Sequence, residues 1–137
     1  MAEKLKVDLV TPYKKILSEE VDEITATGAL GEFSVLPGHA PFLTSLKIGE
    51  LTYKKSGQVV HLALNWGYFE VEDDKVTVLV ETAERADEID LERAQAALGR
   101  AEAALKKLSP EDKDYRVMEA ALERALIRMQ VAGKSTR

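Results

Sequence analysis

The hydrophobic period of this chain changes once, near residue 87, and that change restricts the fold more than any other feature. Up to about residue 82, apolar residues recur at every second position. Leu5, Val7 and Leu9 alternate with Lys4, Lys6 and Asp8. Similar runs cover 21–26, 33–36, 48–53, 59–64, 68–71 and 76–80. They are separated by the turn signals Pro37-Gly38, Lys55-Ser56-Gly57 and Glu72-Asp73-Asp74. A strand points successive side chains to opposite faces, so this alternation buries one face and wets the other. Several short strands at this spacing predict an antiparallel sandwich or flattened barrel.

Beyond residue 87 the period is seven. Leu91, Leu98 and Leu105 are followed three residues later by Ala94, Ala101 and Leu108, which is an a/d stripe on one helix. Alanine at the d-like positions lets a partner helix approach closely. The stripe breaks at Leu108-Ser109-Pro110-Glu111-Asp112, where Ser109 reads as an N-cap, Pro110 as a first-turn residue and Asp112 as a capping-box acid. A second stripe follows at Tyr115, Met118, Leu122, Ala125, Met129 and Ala132, so the two segments read as an antiparallel helical hairpin. Gly99, inside the first helix, reads as a tight packing contact. Residues 83–87 read as a short polar linker. Each helix alone is marginal, because helical stability comes mostly from tertiary packing. The hairpin can bury its stripe internally, on the sheet, or on another protein, and that freedom is the physical basis for a conformational switch.

Composition narrows the function. No apolar run reaches the ~20 residues of a membrane span. The start, Met1-Ala2-Glu3-Lys4-Leu5-Lys6, lacks the apolar stretch of a signal peptide. There is no cysteine, which excludes disulfides and thiolate chemistry. The net charge of −5 argues against a nucleic-acid partner. All of that excess lies in residues 1–86, while 87–137 is neutral with a basic end, where Arg124, Arg128, Lys134 and Arg137 follow the last acid, Glu123. Such an end complements a helix dipole or an acidic partner surface. His39 and His61 fall in different elements, and Asp73-Asp74 sits in a hairpin turn. No phosphate-binding loop, zinc-protease helix or nucleophile elbow is present. The residues alone point to no catalytic site and describe a binding or structural scaffold protein with a mobile helical docking arm.

One segment is more specific. The run from Gly28 through Gly31-Glu32-Phe33-Ser34-Val35-Leu36-Pro37-Gly38-His39-Ala40-Pro41-Phe42 to Gly49 resembles the epsilon subunit family of F-type ATP synthases almost position for position. The likeness continues at Gly67-Tyr68-Phe69-Glu70-Val71, Val76-Thr77-Val78-Leu79 and Ala83-Glu84-Arg85-Ala86-Asp87-Glu88-Ile89-Asp90, so it covers nearly the whole chain. Asn65-Trp66 departs from the small residues usual before Gly67. The resemblance implies a flattened ten-stranded antiparallel β-sandwich over 1–86 and a regulatory two-helix hairpin over 87–137. It also implies a non-catalytic rotor-stalk role in a proton-translocating ATP synthase, at the cytoplasmic face of a bacterial membrane. The implied partners are the gamma subunit, the c ring and, through the helices, the alpha/beta catalytic head, whose ATP hydrolysis the extended helices inhibit. Glu32 matches the residue facing the c ring, and His39 the gamma-facing turn.

Some members of this family clasp ATP in the hairpin with a pattern like Ile-Asp-x-x-Arg-Ala. It reads here as Ile89-Asp90-Leu91-Glu92-Arg93-Ala94, with Arg100 seven beyond Arg93 and with Arg124 and Arg128 one turn apart. The resemblance makes Glu84, Ile89, Asp90, Arg93, Arg100, Arg124 and Arg128 candidate ATP ligands. The arginines would hold phosphate, Glu84 and Asp90 the adenine or ribose, and Ile89 the base. No cofactor is required on this reading. ATP is a regulatory ligand, and whether magnesium accompanies it is left open. The same nucleotide pattern admits a free-standing nucleotide-sensing module as an alternative to the stalk subunit.

Overall fold

The computed structural model describes residues 3–134, so Arg137 of the basic end lies outside the described residues. Ten strands come first: β1 Leu5–Val10, β2 Lys15–Val21, β3 Glu23–Gly28, β4 Gly31–Val35, β5 Phe42–Leu46, β6 Gly49–Lys55, β7 Gln58–Leu64, β8 Gly67–Glu72, β9 Lys75–Val80 and β10 Ala83–Arg85. A 3₁₀ turn, Ala86–Glu88, leads to helices α1 Leu91–Lys107 and α2 Tyr115–Ala132. The strand order is β10-β7-β6-β3-β5-β8-β9-β1-β2, with β4 beside β3. The β3–β5 step is a single residue pair, Gly28 with Leu46, and there the sheet folds over into two layers. Leu5, Val7 and Leu9 of one layer and Leu51, Tyr53 and Leu62 of the other share one core.

The expected alternation places that core. β1 buries Leu5, Val7 and Leu9, and β9 buries Val76, Val78 and Val80. Phe69 is fully buried at the centre, with Phe33 edge-on at 4.9 Å. The turns read from sequence are left-handed where expected, at Ser56, Gly57, Asp73 and Asp74. Gly67 is required by close approach: a Cβ there would lie 1.9 Å from the Leu79 carbonyl oxygen.

Four readings need correction. β2 and β5 were not resolved as strands by alternation. The edge strand β2 carries Ser18, Glu19 and Glu20 between its apolar residues, the charged dressing that protects an edge. The supposed linker 83–87 is mostly structured, because β10 pairs Ala83, Glu84 and Arg85 with Leu64, Ala63 and Leu62 of β7. The sandwich is not wholly antiparallel either, since β1 runs parallel to β9. Finally, α2 begins at Tyr115 rather than after Ser109. The Ser109 backbone N–H does donate to Asp112 Oδ2 at 2.8 Å, but these residues close a separate turn ahead of the helix.

The helices pack along their length with the expected stripe inward. Ala94, Ala101 and Ala125 are buried, although Leu91 is 45% exposed. Gly99 is exposed with open space around it, so it makes no packing contact and only weakens the helix, by about 1 kcal/mol.

Candidate functional site

The hairpin lies on the outer face of the β10-β7-β6 layer. β7 shows why it stays there. Leu62 and Leu64 point into the sandwich core, while Ala63 points outward and is also buried. With Ala86, Ile89 and Val131 it forms a second, small apolar cluster, flanked by Ile127 and Ala132. Two ion pairs border this cluster. Glu84, on β10, accepts a forked pair of bonds from Arg128, at 2.7 Å from Nε and 3.2 Å from Nη2. At the far end of α2, Lys134 donates to Glu50 at 2.7 Å, and the second Glu50 oxygen lies 2.9 Å from His61 Nδ1.

Between the hairpin and the sandwich is an open cavity of about 500 Å³. Its floor is small and apolar, made by Ala97, Ala121 and Ala125, with Ala83 and Ile16 from the sheet. Arg124 and Arg128, from α2, line it together with Thr11, Tyr13 and Lys14, from the β1–β2 turn, and with Glu81 and Glu84. A guanidinium presents a planar fork of donors that fits carboxylate or phosphate oxygens. The cavity therefore combines a flat apolar surface with a basic rim.

The candidate ligand residues fall into three groups. Glu84, Arg124 and Arg128 meet at this cavity. Ile89 is 3% exposed and belongs to the apolar cluster under the hairpin, while Asp90 caps α1 by accepting from the Arg93 backbone N–H at 3.1 Å. Arg93 and Arg100 are exposed on α1 and do not line the cavity. Sequence reasoning missed the turn residues Thr11, Tyr13 and Lys14, which precede the hairpin by more than 70 positions and carry no motif. It also missed the Glu50–Lys134 pair.

Two further surfaces are apolar or exposed. Glu32 lies in the exposed β3–β4 hairpin, next to Leu30, which is fully exposed, and Gly31, which has a positive φ of 121°. His39 follows the Pro37-Gly38 turn, packs against Phe42 at 5.7 Å and hydrogen-bonds the Ala40 carbonyl. Asp74 reaches across from the β8–β9 turn to accept from the Gly38 N–H at 2.7 Å, which fixes that corner. On the outer face of the other layer, Val10, Leu79 and Tyr68 lie side by side in register and join Pro12 and Trp66 in an apolar groove. Tyr68, Leu79 and Trp66 are each about half exposed or more. Asn65 is buried, and its side-chain oxygen accepts from the Trp66 N–H at 2.9 Å, so the Asn65-Trp66 departure builds one end of the groove.

Among the described residues no helix is long and apolar enough to cross a membrane, and no group of His, Cys, Asp or Glu is arranged to hold a metal ion.

Residues 4–86 match the beta-sandwich domain of the ATP synthase delta/epsilon chain, and residues 87–133 match its long alpha-helix domain. The ATP synthase epsilon chain of Geobacter sulfurreducens is 97% identical over 137 residues, covering 100% of this chain and 99% of the relative. That of Geobacter metallireducens is 93% identical over the same span and coverage. Among solved structures, a chain of the Euglena gracilis mitochondrial ATP synthase, in an assembly of OSCP, F1 and c-ring, superposes with a TM-score of 0.80 at 29% identity, covering 94% of this chain and 81% of that one. The two domain matches follow one another along the chain in the order of its two periods, and the chain belongs to the delta/epsilon family of ATP synthase subunits.

Proposed function

We propose that this chain works as a rotor subunit of the central stalk, with residues 1–86 binding the stalk and residues 87–137 acting as a regulatory arm. As a member of its family it is a non-catalytic subunit of ATP synthase. Its partners on this reading are the gamma subunit and the c ring, with the alpha/beta head reached by the arm. The superposing Euglena chain comes from an assembly that contains F1 and a c ring. Glu32 and the exposed Leu30 would meet the c ring, and the His39 corner would face gamma. The complex would sit at the cytoplasmic face of a bacterial membrane, with this chain held there through the c ring.

The observation that carries the regulatory part is the hairpin's small seat. The apolar cluster that anchors it to the sandwich is built on four buried residues, two fewer than β1 and β9 together bury in the sandwich core, and otherwise the arm is held by two partly exposed ion pairs. Exposed pairs contribute only ~0–1 kcal/mol each. An arm so seated detaches at modest cost and is free to extend along the stalk and inhibit ATP hydrolysis. ATP in the cavity would engage Arg124 and Arg128, stabilise the seated arm by about RT ln(1 + [ATP]/Kd), and so relieve inhibition.

The test is reconstitution of the full chain with gamma, the c ring and the catalytic head, with ATP hydrolysis followed as ATP is raised. Inhibition that weakens as ATP rises, and that persists at high ATP in Arg124→Ala, is the expected result. A chain that assembles with none of the three partners would sink the stalk reading. One that assembles but leaves hydrolysis unchanged would sink the regulatory reading alone.

A further inference from the structure

We infer that the Thr11–Lys14 turn of the sandwich is part of the nucleotide site, with Lys14 a phosphate ligand and Tyr13 a platform for the base. The inference rests on the nucleotide reading above and extends it to the sandwich.

Three observations carry it. The turn is rigid: Thr11 is 8% exposed, its N–H donates to the Lys14 carbonyl at 2.9 Å, and its hydroxyl accepts from the N–H groups of Tyr13 and Lys14 at 3.3 Å each. Its two outward side chains are nevertheless unpartnered. Tyr13 is 89% exposed, and among the described residues neither its hydroxyl nor the Lys14 ammonium has a hydrogen-bond or ion-pair partner. The neighbouring Lys15, by contrast, is paired with Asp8.

The second observation is charge. The cavity holds Lys14, Arg124 and Arg128 against Glu81 and Glu84. Arg128 is satisfied by Glu84, and Glu81 is met by the Asn65 amide at 3.4 Å. Lys14 and Arg124 are therefore the two cations of this cavity left without a carboxylate partner among the described residues, one carried by the sandwich and the other by α2. An anion between them would be held from both units. The third observation is composition: the small side chains of Ala97, Ala121 and Ala125 line the same cavity as the exposed Tyr13 ring, a combination that suits a planar base.

The consequence is regulatory. A ligand moves a conformational equilibrium only by binding one state better than the other. A nucleotide held by the two helices alone would keep all its contacts when the hairpin left the sandwich, and so would not favour docking. Contacts to Tyr13 and Lys14 exist only in the seated state. They are what would make a bound nucleotide hold the arm down.

The test is calorimetric titration of ATP and of inorganic tripolyphosphate, without magnesium, into the full chain and its Lys14→Ala and Tyr13→Ala variants. Both positions are exposed, so unchanged melting temperatures verify the fold. We expect Lys14→Ala to weaken ATP and tripolyphosphate alike, by about tenfold. Tyr13→Ala should weaken ATP by about fivefold or more and leave tripolyphosphate unchanged. Wild-type affinity for ATP in both variants, with loss only in Arg124→Ala, would overturn the inference and leave the nucleotide reading standing. Equal loss of both ligands in Tyr13→Ala would overturn the base-platform role. Absence of ATP binding by the wild-type chain at millimolar concentration would overturn both readings together.

Discussion

The sandwich and the hairpin bury their apolar residues differently. Nearly every strand of the sandwich contributes Leu, Ile, Val or Phe to one core, and twelve of those side chains are essentially inaccessible. The buried residues of the two helices are Ala94, Ala101, Ala125 and Val131. A fully buried Leu or Phe contributes ~1.5–3 kcal/mol, and a methyl-sized side chain far less. The sandwich is thus defined by its interior, while the hairpin is defined by close approach and by the surface it rests on. A rigid platform and a removable arm are made from one chain by the size of the side chains turned inward.

The comparison is broken most severely from the sandwich side. Phe69→Ala removes the largest fully buried side chain and should cost about 3–5 kcal/mol, seen as a lower denaturation midpoint for the whole protein. If the helices are an appendage to the platform, their signal should be lost in the same transition or before it. A hairpin that outlasted the sandwich would reverse the order of dependence. Next in size is Ile89→Ala, in the cluster between the units. It should cost about 2–3 kcal/mol of docking and leave the strands alone. Hydrogen exchange should then rise across α2 and the 3₁₀ turn, with the β6–β7 ladder still protected. Uniform loss of protection would mean that the two regions form one cooperative unit.

A smaller effect sharpens the contrast at the ion pair. Glu84 and Arg128 are partly exposed and forked, so their coupling in a double-mutant cycle with Glu84→Gln and Arg128→Ala should be near 1 kcal/mol. A coupling several times larger would make the hairpin clamped rather than seated.

Where the sequence was legible follows the same division. Period-two alternation located β1, β8 and β9, because each is buried on one face and wet on the other, while β7 showed as an apolar run whose last three residues are buried on both faces. It passed over β2, whose outward charges interrupt the pattern, and β10, whose three residues are too few to show any period. The heptad stripe gave both helices and their inward alanines, but not the start of α2. The acids and serine of residues 109–112 cap a turn just as they would cap a helix, and local chemistry does not distinguish the two. The arginine pattern brought Arg124 and Arg128 into view. Lys14 and Tyr13 were out of reach, because only the folded sheet brings the first turn of the sandwich against the second helix. Ile89 and Asp90 match the resemblance in sequence, but the structure occupies one in a core cluster and the other in a helix cap.

The smallest expected effect is a gradual one with pH, confined to the platform. Asp8 is held below its ordinary value of 3.8 by the Ser18 hydroxyl opposite it in the β1–β2 register, and then by Lys75 on β9. Asp22 is lowered mainly by Lys4. A carboxyl whose folded value is depressed contributes stability above its unfolded value, and that contribution is lost as pH falls through the folded one. Melting temperatures measured from pH 7 down to pH 3 should therefore be flat for these groups until about the carboxylate range, and then decline. Asp8→Asn should melt lower than the wild type at neutral pH and converge on it in acid, because the wild type loses there what the variant never had. A gap that stayed constant to pH 3 would show that Asp8 acts by packing in the sheet and not by its charge.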